Sequence, residues 1–549
     1  MVIENALNCL YSYFCRCENG EVNSKYTEKS ISQACDEMIT ISRLEKHEFS
    51  LEQSKGVDGY DSVQNIFAKI NEKESIRKSK GVYYTPNDVV DFILQNSIKS
   101  SLRELTPDNL CSGLSETSIE QFCFGKTIYD PTCGAGEFLL AALNLKLDYL
   151  ENSGKAINKR SIAKVVGTIF GNDVNEESVI ITKLRLYVCV VKRFGTEKCC
   201  GLGEKLNTQF TTQDYVAPKS ALPGRFDIIV GNPPYVEDSK SGLDLKNRYG
   251  NIYANVLHNA TMMLKPGGTI GFVIPLSYIS TPRMKKLRDE LMDTVSEQYI
   301  LSFADRPDCL FDSVHQKLCI LIGNKDQTRK PVIFTGHYTY WYKEERNNLF
   351  NHIEVVRNDF VSDKFIPKLG TETDYSIYKK ITDPDKMISV YAASRNGSES
   401  VYLNRRETFW MKAYTTKVDD PEYKIFSFDN AAKADYCYCL INSSLFWWYW
   451  ICTSDCWHVS KELNCFMTPG IPNDIKATEL ANALRKRLED TKAYVGTKQT
   501  EYEYKHRECL KEIHAIDDYI NSLYGLTAEE NRYIKKYALR YRTSGGASK

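Results

Sequence analysis

The sequence carries no excess of charge: 71 Lys and Arg face 71 Asp and Glu among 549 residues. A histone-like basic coat is thereby excluded, although a local basic cleft on a neutral protein is not. Long apolar runs are also missing. The densest, Leu445 to Cys452, has eight residues, against the roughly 20 that a bilayer-spanning helix needs. No membrane role is therefore expected. Near the start, Glu4 stands before the first apolar run and no basic segment does, so a secretory signal is not expected. The 18 Cys are scattered without one CxxC pair, which leaves no zinc ribbon or thioredoxin motif. Reduced, mostly buried thiols in a cytoplasmic protein of a prokaryotic cell are the expectation. Low-complexity sequence is confined to the tail Ser544 to Lys549, and no repeat is visible.

With 42% hydrophobic and 26% charged residues the composition is that of a folded globular chain. Its length suggests about two to four domains. Residues 1–75 read as a helical extension, with Ile66, Phe67 and Ile70 at helical spacing near its end. Residues 76–325 alternate short β-branched runs with helical stretches. Strands are expected at Thr127–Tyr129, Val165–Phe170, Asp227–Val230, Thr269–Ile274, Ile300–Phe303 and Leu318–Ile322, with helices at Phe138–Leu150 and Asn175–Phe194 between them. Such alternation predicts an α/β fold with a doubly wound, Rossmann-like sheet. Ligands then bind along the edge where the loops leave the strand ends. Residues 326–475 lose that alternation and read as a second, mixed α and β domain. Residues 476–549 return to helix at Ala477–Tyr494, Tyr502–Tyr524 and Ala528–Tyr541, with Gly525 as a stop and Thr527 as the next N-cap.

Three segments carry chemistry. Asp130-Pro131-Thr132-Cys133-Gly134-Ala135-Gly136-Glu137-Phe138 follows an expected strand and opens a helix. Its glycines allow close backbone approach, and the helix start offers free N–H groups. The spacing is not the GxGxxG of a nicotinamide site. An acid leading two glycines suits a smaller, cationic nucleoside, although such a loop alone can also be a tight turn. Asp173 ends the next expected strand, where an acid can accept from both ribose hydroxyls. By itself it reads better as an ordinary helix N-cap. Asp214 could accept from the exocyclic amine of an adenine, or be a loop acid. The third segment, Asp227 to Tyr235, is a buried strand ending in Asn232-Pro233-Pro234-Tyr235. Its prolines remove two N–H donors and fix an extended turn. The Asn232 side-chain oxygen and the Pro233 carbonyl are left as convergent acceptors. Two acceptors on one planar amino group help to localise its lone pair, and Tyr235 offers a face for stacking.

These motifs resemble the S-adenosylmethionine-dependent DNA methyltransferases that form N6-methyladenine. In that family the DPxCGxGxF loop holds the methionine part of the cofactor and NPPY is catalytic. Gly81-Val82-Tyr83-Tyr84-Thr85-Pro86 resembles its YTP motif, whose Thr contacts the carboxylate end of the cofactor. YTP, glycine loop and NPPY, in that order before a large C-terminal region, resemble the γ arrangement and the long restriction-modification enzymes (type II, IIG-like). The resemblance implies S-adenosyl-L-methionine as cofactor, held by Thr85, Asp130, Pro131, Cys133, Gly134, Gly136, Asp173 and Asp214. Asn232, Pro233, Pro234 and Tyr235 would be catalytic, with Tyr235 and Phe311 stacking on the base. Phe311 reads equally well as a core residue. No metal is implied, because a sulfonium is already a good leaving group.

NPPY also occurs in enzymes that methylate a protein glutamine, so a glutamine or RNA amino group remains the alternative substrate. Duplex DNA is favoured because reading bases needs a further surface, and base chemistry needs the target flipped out. Residues 326–475 would supply that surface, target recognition. Leu440 to Phe446 and Thr453 to His458 resemble the specificity region of the long enzymes, as does Ile516 to Thr527. Trp447, Trp448 and Trp450 are expected in the core. Arg405, Arg406, Lys412, Lys461 and Arg485 are candidates for phosphates or guanines, although most such residues are merely solvated. Residues 1–75 have no Asp or Glu followed two positions later by Lys. A nuclease centre is therefore not expected, and a separately encoded restriction endonuclease is the expected partner.

Overall fold

The computed structural model describes residues 2–16, 23, 25–51, 59–69, 85–217, 224–243, 245, 247–311, 315–383, 388–389, 397–417, 420–459, 466–470, 472, 475–496 and 502–543. Ile70, Gly81 to Tyr84, Asp312, Lys461 and the tail Ser544 to Lys549 lie outside them.

A nine-stranded sheet organises the first two thirds of the chain. Its strands are β1 (Ile128–Asp130), β2 (Ile169–Asp173), β3 (Phe210–Thr212), β4 (Phe226–Gly231), β5 (Leu264–Pro275), β6 (Glu297–Phe303), β7 (Leu318–Asn324), β8 (Val332–Thr339) and β9 (Val356–Arg357). They lie in the order β3-β2-β1-β4-β5-β7-β6-β8-β9. β1 to β5 are parallel, and β7 runs antiparallel between β5 and β6. The expected mixed α/β fold with a mostly parallel, doubly wound sheet is what the chain adopts. Winding outward through β2 and β3 and then returning to β4 makes a switch point between β1 and β4. There the loops after the two strands part and leave a crevice.

Helix Glu137–Asn152 buries Phe138, Leu139, Leu143, Leu147 and Leu150 against this sheet. Helix Glu176–Phe194 is buried on nearly every face, because helices Val2–Cys15, Glu28–Ser42 and Tyr60–Lys69 cover it from outside. Several expected boundaries move. Val165 and Val166 belong to a short helix, Lys159–Val166, capped by Asn158, and the strand begins only at Ile169. That helix fills the long interval between Asp130 and Asp173, where an extended helix and loop was expected. β3 was not foreseen, nor were β8 and β9, which carry the same sheet past residue 325.

Beyond the sheet, Glu399–Asn404 pairs with both Ala413–Tyr414 and Tyr423–Phe428 in a small antiparallel sheet. Helix Ser444–Thr453 is wholly buried, so Trp447, Trp448 and Trp450 are core residues as expected. Asp374 accepts from Trp448 Nε1 at 3.2 Å and Tyr533 Oη at 2.7 Å, which satisfies buried donors in that core. The expected helix Tyr502–Tyr524 starts only at Leu510, because Tyr502–Glu503 pairs with Ala493–Tyr494. Gly525, at φ +68°, ends it. Thr527 caps the next helix by accepting from Glu530 N. That helix stops at Lys536, and Leu539–Thr543 forms a separate one. No helix among the described residues is long and apolar enough to cross a membrane.

Candidate active site

The glycine loop leaves β1 with Asp130 almost fully buried, its Oδ1 accepting from Thr132 N at 2.9 Å. Burial pushes its carboxyl up to about 8, and the neighbouring Asp173 charge adds to the rise. A Cβ on Gly231 would lie 2.9 Å from Asp130 Oδ1, so glycine at the end of β4 lets that strand pass beside the carboxyl. Gly134 and Gly136 turn the loop at φ +52° and +88°. Gly134 N donates to Asp173 Oδ2 at 2.9 Å, and its carbonyl accepts from Thr182 Oγ1 at 2.9 Å. Asp173 is not the helix cap. That role falls to Asn175, which accepts from Glu177 N, while Asp173 accepts from Asn175 N and stays beside the glycine loop.

Asn172, which the sequence did not single out, ties the crevice walls together. Its Nδ2 donates to the Pro131 and Gln213 carbonyls, both at 3.0 Å, and its own carbonyl accepts from Cys133 N. Cys133 is thereby buried in the loop. Asp214 follows Gln213 in the turn after β3 and accepts from Val216 N at 3.1 Å. A second support is buried below the loop. Arg185 donates to Glu137 Oε1 at 2.5 Å, to the Ala135 carbonyl at 2.6 Å and to Gln64 Oε1 at 2.8 Å. Gln64 lies on helix Tyr60–Lys69, so that N-terminal helix braces the loop through Arg185.

On the facing side, Asn232 Nδ2 donates to Thr85 Oγ1 at 3.1 Å. The YTP threonine and the NPPY asparagine therefore meet, and the bond sets the amide with its oxygen end turned away from Thr85. Thr85 precedes helix Asn87–Ser101, whose buried Val89, Val90, Phe92 and Ile93 fix its position. Pro233 is buried, and no donor among the described residues reaches its carbonyl. Pro234 is half-buried. Tyr235 Oη donates to the Val273 carbonyl on β5 at 3.0 Å, which anchors its ring. That ring lines a cavity of about 460 Å³ with the end of β5 at Pro275 to Ser277, the start of β7 at Gln316 and Lys317, and Trp457.

Of the two readings of Phe311, burial supports the core one and not the stacking one. It is 1% exposed, in the core, so its ring presents no open face to a base in this conformation. The basic residues singled out in the C-terminal region mostly have acidic neighbours. Arg406 pairs with Glu422, Arg485 with Asp435, and Lys412 lies 3.9 Å from Glu407. Among the described residues no group of three or more His, Cys, Asp or Glu could hold a metal ion.

Residues 167–309 match the Eco57I restriction-modification methylase family. That Eco57I-type segment includes Asp173, Asp214 and Asn232 to Tyr235, while Thr85, the glycine loop and Phe311 lie outside it. Modification methylase CviBIII of Paramecium bursaria Chlorella virus NC1A is 26% identical over 323 residues, 57% of this chain and 62% of that protein. A putative type II restriction enzyme and methyltransferase of Methanocaldococcus jannaschii is 23% identical over 213 residues, 32% of this chain and 18% of that protein. The chain thus spans less than two thirds of these relatives' own length. Among solved structures, the type IIL restriction-modification enzyme MmeI in complex with DNA aligns over 98% of this chain and 95% of its own, with a TM-score of 0.55 and 12% identity. That likeness is one of fold.

Proposed function

We propose that the chain is a DNA methyltransferase of a restriction-modification system. It would move a methyl group from S-adenosyl-L-methionine to N6 of an adenine extruded from duplex DNA. The observation that carries this reading is the Asn232–Thr85 hydrogen bond at the mouth of a glycine-loop crevice, beside a Pro233 carbonyl that no described donor reaches. The Eco57I-type segment and the relatives named as modification methylases support it.

The crevice fits the cofactor. Around Gly134 nothing lies within 4 Å of where a Cβ would sit, so the loop faces open space. Behind it, buried Asp130 holds the loop by accepting from Thr132 N. Thr85, Pro131, Cys133, Gly134 and Gly136 would hold the methionine part, Asp173 the ribose and Asp214 the adenine amine. When bound, the cofactor supplies an electrophilic methyl on a sulfonium.

The rest is the work of this chain. Asn232 Oδ1 and the Pro233 carbonyl accept the two N–H groups of the target amine, and the nitrogen lone pair is drawn out of conjugation toward the crevice. Pro234 keeps the turn extended, so these acceptors need no reorganisation at the moment of reaction. Tyr235, anchored on Val273, stacks on the base. One amino proton is held by these acceptors until it leaves to water. The test is transfer of labelled methyl from S-adenosyl-L-methionine by the purified chain to plasmid DNA, total RNA and mixed protein. The reading expects label in DNA, recovered as N6-methyladenosine's deoxy form. Label in RNA or protein alone would overturn it.

A further inference from the structure

Of the six tryptophans, Trp341, Trp410, Trp447, Trp448 and Trp450 are at most 9% exposed, whereas Trp457 is 48% exposed. An indole left half in water beside a cavity is uncommon, since burying it would be favourable. Trp457 lines the cavity that Tyr235 lines, and it comes from the C-terminal region rather than from the catalytic sheet.

Its presentation is built. Cys456 takes the left-handed conformation at φ +57°, which a non-glycine residue adopts at a cost. Ser454 Oγ holds the turn by accepting from Cys456 N at 2.9 Å, and Asp455 Oδ1 accepts from Trp457 N at 3.1 Å. On the far side, His458 bridges to Arg406. The ring itself carries the Lys317 ammonium 3.5 Å from its centroid, and Lys317 is nearly buried and lies 3.4 Å from Asp305. The cavity is thus lined both by an aromatic ring fixed by a turn and a cation and by Tyr235. Phe311, the other aromatic considered, is shut in the core.

Resting on the function proposed above, we infer that Trp457 is the second aromatic surface for the extruded base. The C-terminal region then completes the target pocket itself. A planar purine entering this cavity would meet both rings, and the Asn232-Pro233 turn immediately precedes Tyr235 in the chain. Capture of the base depends on the region expected to read the duplex, and a base extruded without that region in place would lack half of its stacking.

Because Trp457 is the one exposed indole, its fluorescence reports on it directly. Acrylamide quenching of the full chain is measured with and without plasmid DNA in the presence of S-adenosylhomocysteine, alongside single-turnover methyl transfer to the same plasmid. DNA should shield the quenchable component in wild type, and Trp457→Phe should lack that component. Trp457→Ala should slow transfer by about tenfold or more, whereas Trp457→Phe, which keeps a stackable ring, stays within about threefold. S-adenosylhomocysteine affinity should be unchanged in both variants. A Trp457→Ala enzyme that transfers at the wild-type rate overturns the inference and leaves the proposed function standing. A wild-type chain that transfers nothing to DNA overturns the proposed function and this inference with it.

Discussion

Arg185 offers a quantitative test of how the glycine loop is held. Its side chain is 4% exposed and that of its partner Glu137 is 13% exposed. It makes charge-assisted bonds to Glu137 Oε1 and the Ala135 carbonyl, and a further bond to Gln64 Oε1. In Arg185→Met the apolar stem stays, but a carboxylate, a carbonyl and an amide oxygen lose their donor inside the protein. Breaking one side of a buried ion pair costs about 3–5 kcal/mol, more than the pair contributes over an apolar substitute. That cost falls first on the start of helix Glu137–Asn152, so its amides should open more often. At about 1.36 kcal/mol per tenfold, hydrogen exchange there should speed up by roughly 150- to 5,000-fold. Mass spectrometry of peptides from residues 135–152 reads this directly. Peptides from helix Ser444–Thr453, which this network does not touch, serve as the control. Arg185→Met combined with Glu137→Gln should recover part of the loss, since the uncompensated charge is gone. Exchange in residues 135–152 within about threefold of wild type would refute the view that this pair braces the loop.

Other outcomes follow from the same geometry. Gly136→Ala should weaken S-adenosylhomocysteine binding by about tenfold or more, since left-handed backbone costs roughly 1–2 kcal/mol and the new Cβ meets Thr182. That Cβ would sit 2.6 Å from Thr182 Cγ2, so adding Thr182→Ala should restore part of the affinity, as titration calorimetry would read. Thr85→Val removes the acceptor that sets the Asn232 amide, and the single-turnover rate should fall by about three- to tenfold while Thr85→Ser stays near wild type. Equal rates for all three would contradict the role given to that bond. Asp130, ordinarily near 3.8, is raised to about 8 in the fold, so the folded state binds its proton more tightly than the unfolded chain does. The stability it contributes is present below about 4 and is lost as pH rises toward 8. Asp130→Asn should therefore raise the ligand-free melting temperature relative to wild type at pH 8.5 and leave it little changed at pH 4, whereas parallel curves would refute this.

What the sequence disclosed was what it encodes locally. The glycine loop and NPPY are each contiguous in sequence, and they leave neighbouring strands because strand order sets β1 beside β4. Their supports were illegible because each depends on a partner far along the chain. Arg185 reaches Gln64, 121 residues away, and Thr85 meets Asn232, 147 residues away. β3 escaped notice because three residues, Phe210 to Thr212, are too few for a period and pair only through β2. Val165 and Val166 read as strand because β-branched residues favour it, but the Asn158 cap and the buried Ile162 commit them to a helix. Phe311 showed the converse limit, since a stacking aromatic and a core aromatic look alike in sequence. Burial placed it in the core, while Trp457, marked only as part of a specificity-like segment, took the exposed place.

The central claim is that Asn232 and the Pro233 carbonyl hold an adenine amino group for methylation. Host DNA from cells expressing either the wild-type chain or Asn232→Ala, sequenced with a read-out for N6-methyladenine, tests it most directly. The account predicts the modified base at one recurring sequence in the wild-type cells and its absence with Asn232→Ala, although the purified variant still binds S-adenosylhomocysteine with nearly wild-type affinity. Methylation at the wild-type level by Asn232→Ala would contradict it.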